Sequence, residues 1–257
     1  MMRSLMDLLR YEVTAIDGEV GYVVNFLLDD ERWAVRYLVV QTRGPLFPDG
    51  RRVLISPISF LHADWLTHRF HVALTKEVLA KSPTINADQP VSRAQERAFD
   101  DYYGLKSYWH DEHGAPPTDV LKSSQGSDMH LRSAEEIVGY RVQGTDDTIG
   151  HIENFIVDDA TWQLRYLVIN TRNWWFGKKV LVAPHWATQV GWKDGTVYID
   201  LPRQTIKDSP EWNPSAPVNR EYETRLYDYY GRPAYWGKNE PSTAITTPPP
   251  SISAPLG

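Results

Sequence analysis

His110-Asp111-Glu112-His113 places four possible metal ligands in one short segment. A metal site needs three or four such groups converging on one point, with a second layer of hydrogen bonds behind them. This segment lies beside Gly114, Pro116 and Pro117, which read as linker, so no metal is assigned to it. His62, His68 and His71 are near-evenly spaced and read as core or surface histidines. Asp29-Asp30 and Asp158-Asp159 are paired carboxylates of the kind used in acid–base work or calcium binding. Both chemistries need convergence in a cleft or an EF-hand-like loop, and adjacent acids between two strands read first as turn residues. Arg36, Arg165, Arg43 and Arg172 suit a carboxylate on a partner, or else stacking on a Trp or Tyr and pairing with those turn acids. Phosphate-binding glycine loops, a Gly-x-Ser-x-Gly elbow and His-Glu-x-x-His are absent, as is any Cys. No catalytic set and no cofactor site is expected, and the chain reads as a non-enzyme.

Trp174-Trp175-Phe176-Gly177-Lys178-Lys179 is the most suggestive stretch. It joins two strands, so it belongs on a rim, and its counterpart is Phe47 followed by Arg51 and Arg52. Exposed aromatics beside basic pairs suit a protein partner or an anionic membrane surface. Folding back over a core is the competing structural reading.

These residues sit in a chain that repeats itself. Gly21–Arg43 aligns with Gly150–Arg172 without gaps, and 12 of the 23 positions are identical. Arg3, Ser4, Tyr11 and Val13 match Arg132, Ser133, Tyr140 and Val142 at the same offset. Downstream the offset drops by two: Pro57, Trp65 and Ser82 meet Pro184, Trp192 and Ser209. Asp101-Tyr102-Tyr103-Gly104 recurs as Asp228-Tyr229-Tyr230-Gly231, and Tyr108-Trp109 as Tyr235-Trp236. A period this long indicates duplicated units, since solenoid repeats run about 20–50 residues. The expected organisation is repeat one at 1–109, a linker at 110–129, repeat two at 130–238, and a proline-rich tail at 239–257.

Within each repeat, short apolar runs alternate with turn signals, which predicts a small β-barrel. Strands are expected at Gly21–Leu28, Trp33–Thr42, Arg52–Ile55 and Phe70–Leu74, with equivalents in the second copy. Tyr37–Val40 is apolar on consecutive residues, so both faces of that strand need cover. The cover is a helix opened by the Ser92/Gln95 capping box and closed by Gly104, echoed by Asn219 and Gly231. Tyr102, Tyr103, Tyr108, Trp109, Tyr229, Tyr230, Tyr235 and Trp236 give these helices and tails an aromatic face for structural or inter-repeat packing. A pseudo-twofold pair that buries the Asp-Tyr-Tyr-Gly helices is one expected arrangement, and packing of each helix on its own barrel is the other.

The net charge of −6 carries no basic field, which argues against general nucleic-acid binding. No apolar run approaches the roughly 18 residues of a membrane span. Asp7 and Arg10 interrupt the N-terminal apolar stretch, which recurs in mid-chain and so belongs to the fold, not to a signal peptide. A cytoplasmic location is expected.

The glycine-led strand Gly21…Asn25-Phe26-Leu27-Leu28-Asp29-Asp30 and the returning Trp33…Arg36-Tyr37-Leu38-Val39-Val40 resemble the PRC-barrel family. That family is named for the cytoplasmic domain of the photosynthetic reaction centre H subunit. Gly150–Ile169 and Lys178–Pro184 carry the same resemblance, and the trailing Asp-Tyr-Tyr-Gly…Tyr-Trp looks like its tandem bacterial proteins. The resemblance implies a mainly β chain of two PRC-type barrels, each followed by a short aromatic helix. It also implies an assembly or interaction module with a macromolecular partner; self-association is a separate expectation. The reading from another class is a small-ligand or metal-responsive sensor, of the stress type, using the groove between the barrels.

Overall fold

The computed structural model describes residues 1–83, 90–105, 129–171 and 178–236. Trp174, Trp175, Phe176, Tyr108, Trp109, His110–His113 and the proline-rich tail lie outside the described residues.

The chain is mainly β and forms two multi-stranded sheets. Repeat one contributes β1 (Met2–Ser4), β2 (Glu12–Ala15), β3 (Gly18–Asp29), β4 (Ala34–Thr42), β5 (Arg52–Ile55), β6 (Phe60–Asp64) and β7 (Arg69–Val72). Helix α1 (Lys76–Ala80), the short β8 (Val91–Ser92) and helix α2 (Arg93–Tyr103) follow. Repeat two opens with β9 (Met129–Ser133) and the one-turn α3 (Ala134–Ile137). It continues with β10 (Arg141–Gln143), β11 (Thr148–Asp158), β12 (Leu164–Asn170), β13 (Lys179–Val182), β14 (Ala187–Gly191) and β15 (Thr196–Ile199). Helices α4 (Arg203–Asp208) and α5 (Arg220–Tyr230) complete it. The two sheets share one strand order, β5-β4-β3-β2-β7-β6 and β13-β12-β11-β10-β15-β14. The buried apolar side chains of both repeats join in one core cluster.

Gly21 and Gly150 show why the repeated strand begins with glycine. A Cβ at Gly21 would stand 1.9 Å from the Gln41 carbonyl oxygen, and one at Gly150 would stand 2.1 Å from that of Asn170. Only glycine lets the two backbones come this close.

The continuous burial of β4 has the expected cause. Tyr37 points outward and meets Phe99 of α2 edge-on at 5.1 Å. Ser92 and Gln95 form the reciprocal capping box of α2, and Gly104 ends it in the left-handed region (φ 63°). In repeat two the Asn219 side chain caps α5 and Gly231 closes it. Both helices lie on their own repeat. Tyr102 donates to the Val78 carbonyl (2.7 Å), and its counterpart Tyr229 donates to that of Thr205 (2.8 Å). Tyr103 and Tyr230 are buried, and Trp236 packs edge-on against Tyr227 at 5.0 Å.

The expectation that the repeats pair by burying these helices is therefore corrected. The repeats meet through their N-terminal strands. β1 of repeat one pairs antiparallel with β11 of repeat two, with Met2 opposite Asp158, Arg3 opposite Val157 and Ser4 opposite Ile156. β9 of repeat two pairs with β3 of repeat one, with Leu131 opposite Asp29, Arg132 opposite Leu28 and Ser133 opposite Leu27. The two registers are the same at the offset of the repeat, so each repeat hands its first strand to the other. After each arm the chain turns back into its own repeat through a left-handed residue, Arg10 (φ 67°) or Gly139 (φ 97°).

Candidate functional site

The junction between the repeats is where most of the recurring polar residues converge. Each long strand carries a bulge just before Asn25 or Asn154, where its register against β4 or β12 shifts. A bulge re-aims the side chain that follows it. The Asn154 amide donates to Ser4 Oγ (2.8 Å), and its carbonyl accepts from the Met6 N–H (3.1 Å). In mirror image the Asn25 amide donates to Ser133 Oγ (2.7 Å), and its carbonyl accepts from the Glu135 N–H (3.3 Å). Arg3 Nε donates to Asp159 at 2.7 Å, with its guanidinium 3.6 Å over Trp65. Arg132 Nε donates to Asp30 at 3.2 Å and lies 4.5 Å over Trp192. Leu5 and Ala134 follow the arms into the core and are fully buried.

The hairpin tips lock the same junction. The Val35 N–H donates to the Trp162 carbonyl (2.9 Å), and the Leu164 N–H to the Trp33 carbonyl (2.8 Å). Trp33 and Trp162 are left-handed (φ 52° and 58°) and buried. A non-glycine residue there costs about 1–2 kcal/mol, and burial of the indole offsets it. Trp162 stands edge-on to Phe60 of the other repeat at 5.3 Å.

The paired acids divide their work. Asp29 accepts from the Glu31 and Arg32 amides (3.0 and 2.8 Å), as a turn residue should. Asp30 and Asp159 hold the arms. Arg36 lies 3.5 Å from Asp29, and Arg165 lies 3.4 Å from Asp158 while stacking over Tyr235 at 4.1 Å. Arg43 pairs with Glu12 at 2.9 Å, and Arg172 is outside the described residues.

Burial pushes the Asp30 carboxyl up to about 6 from 3.8, although Arg132 pulls the other way. A carboxyl raised in the folded chain holds its proton there when the unfolded chain has already lost it. Its contribution to stability is therefore greatest below pH 4 and declines as the pH rises toward 6. Asp30→Asn removes this dependence. The wild-type stability minus that of the variant is expected to fall by up to roughly 3 kcal/mol between pH 4 and 6, read by urea denaturation at each pH. A difference that stays flat across this window would disprove it.

A second set of buried acids sits under the aromatic helices. Glu96 is fully buried, 2.6 Å from His130 Nε2 and 3.3 Å from the Tyr37 hydroxyl, which donates to Asp100 at 2.8 Å. Its counterpart Glu223 accepts from the Tyr166 and Tyr235 hydroxyls, both at 2.8 Å, and lies 3.1 Å from Arg220. Burial and the neighbouring carboxylate hold both tyrosines well above the usual phenol range. Glu96, Glu223 and Tyr166 are themselves enclosed. Among the described residues, no cluster of three or more His, Asp or Glu side chains is placed to hold a metal ion.

The rim residues separate. Phe47, expected on an exposed rim, is buried, because its loop folds back to cap the core. Arg51 donates to the Ala80 carbonyl (2.8 Å) and the Ser82 carbonyl (2.5 Å), and Lys178 donates to that of Ser209 (2.7 Å). These two cations clamp the ends of α1 and α4. Lys179 pairs with Glu153 at 2.5 Å, and Arg52 is exposed.

A cavity of about 370 Å³ opens at the junction, lined by Phe60, His62 and Trp65 of one repeat and Asp159 and Trp162 of the other. The exposed apolar side chains are unevenly shared. Leu66 is 94% exposed, Leu61 53% and Ile58 46%, whereas the same positions of repeat two hold Lys193, Thr188 and His185.

The arms escape sequence reading because three paired residues are too few for a strand pattern. The available signal was the isolated Arg-Ser identity of Arg3-Ser4 and Arg132-Ser133, which no local element explained.

The PRC-barrel domain family matches residues 129–206, from β9 into α4. The matched stretch thus begins with the arm that lies on repeat one. No curated protein matches the chain. No helix among the described residues is long and apolar enough to cross a membrane.

Proposed function

We propose that the chain is a non-catalytic binding and assembly module of two PRC-type domains, repeat one being the domain outside the matched residues, joined to a macromolecular partner. The likeness to the reaction centre H subunit would lie in this role. The carrying observation is the apolar surface at Ile58, Leu61 and Leu66, kept by one repeat and replaced by polar residues in the other. Large exposed apolar side chains concentrated in one short segment favour a contact surface. The aromatic stretch Trp174–Phe176 is proposed as a second contact. Leu61→Thr with Leu66→Lys gives repeat one the residues of repeat two at positions that do not support the core. After crosslinking in the native cell, this variant is expected to lose partner capture at least tenfold with an unchanged circular dichroism spectrum. Capture at the wild-type level would overturn the surface. Trp174→Ala with Trp175→Ala tests the second contact in the same way.

The junction cavity supports a second reading, an organic ligand held between Phe60, Trp65 and Trp162. Such a ligand raises the melting temperature of the wild type and does so less in His62→Ala.

A further inference from the structure

We propose that the seat of the N-terminal arm is a strand-binding site for an extended Arg-Ser segment, and that a second copy of this chain can supply that segment. The seat lies on repeat two, with one aromatic ring contributed by repeat one. The backbone edge of Ile156–Asp158 pairs with the incoming strand. The Asn154 carboxamide reads the Ser hydroxyl and the amide two residues later. Asp159 pairs with the Arg guanidinium, and Trp65 lies under it. The side chain after the serine, Leu5, is fully buried.

Both seats work in the same way although the arms differ. Met2-Arg3-Ser4-Leu5 fills one and Leu131-Arg132-Ser133-Ala134 the other, in the same register. What they share is Arg-Ser and an extended backbone, so recognition rests on these. This is strand addition with side-chain selection. The arm is short and half-exposed, its polar contacts with the seat come from a few residues, and the chain turns at Arg10 before entering its own repeat. Arms that pivot at a hinge next to a matching seat are the elements exchanged between identical chains. Charge complementarity between Arg3 and Asp159 sets the pairing. Trp65 of the seat adjoins Leu66, but arm binding and partner capture are read by separate measurements, so failure of one is distinguishable from failure of the other.

Two complementary variants of the full chain test this. Arg3→Ala weakens the arm and keeps the seat, while Asp159→Ala weakens the seat and keeps the arm. Each alone is expected to be monomeric by light scattering. Mixed at equal concentration, they are expected to form a 1:1 heterodimer, with the arm of the second in the seat of the first. A labelled peptide Met-Met-Arg-Ser-Leu-Met-Asp-Leu-Leu-Arg is expected to bind the Arg3→Ala chain at least tenfold tighter than the same peptide with Ala for its first Arg. Peptide binding without heterodimers would overturn the second copy as the source. Failure of both would overturn the seat. Should Arg3→Ala lose its native spectrum, Ser4→Ala, which removes one side-chain bond, replaces it.

Discussion

A chain cut once between Leu105 and Met129 stays a single particle in native buffer. After cleavage at a protease site placed there, both fragments are expected to elute together, with the mass of the uncut chain. The reason is the double exchange. β1 is held by the sheet of repeat two and β9 by the sheet of repeat one, three residue pairs in each case. The hairpin tips add reciprocal bonds through Val35 and Leu164. Trp33, Trp162 and Leu5 are buried at this junction. Truncating a buried aromatic costs roughly 3–5 kcal/mol, and a buried leucine roughly 2–5. A dissociation constant below about 10 nM, about 11 kcal/mol, is therefore expected between the fragments. Light scattering over a dilution series reads it. Two particles of half mass at micromolar concentration would show that the exchange holds little.

Glu223→Ala is expected to cost roughly 2–4 kcal/mol of stability. Glu223 is buried and is the acceptor for the Tyr166 and Tyr235 hydroxyls. Tyr166 is itself fully buried beneath α5, so its hydroxyl has no route to water once the acceptor is gone. An unsatisfied hydroxyl in such a place costs about 1–3 kcal/mol, and the partly exposed Tyr235 hydroxyl, which reaches water, adds less. Arg220 is half-exposed and adds little. Glu223→Gln keeps a carbonyl acceptor and is expected to lose about half as much. The urea midpoint is expected to fall in that order with an unchanged slope. A loss below about 1 kcal/mol for Glu223→Ala would mean that the tyrosines had found other partners.

Much of each repeat was legible before the structure. Gly21 and Gly150, the twin hairpins, β5 and β13, and the caps at Ser92, Asn219, Gly104 and Gly231 stand where local chemistry puts them. The run Tyr37–Val40 announced a covering helix, and α2 supplies it. The rim was less legible. Phe47 and Arg51 look the same in sequence whether a loop stands out or folds back, and the difference is made by the core and the carbonyls that they meet.

The sequence by itself determined that there are two like units, mainly β, each with an aromatic helix. Those features follow from turn residues, strand patterns and caps that act over a few neighbours. Only the tertiary structure decided that the units interlock. The partners of Arg3, Ser4 and Asn25 lie more than a hundred residues away. A strand of three residues has no local energy to hold it. It exists because the edge of the other repeat satisfies its backbone, and an asparagine and an aspartate select its side chains.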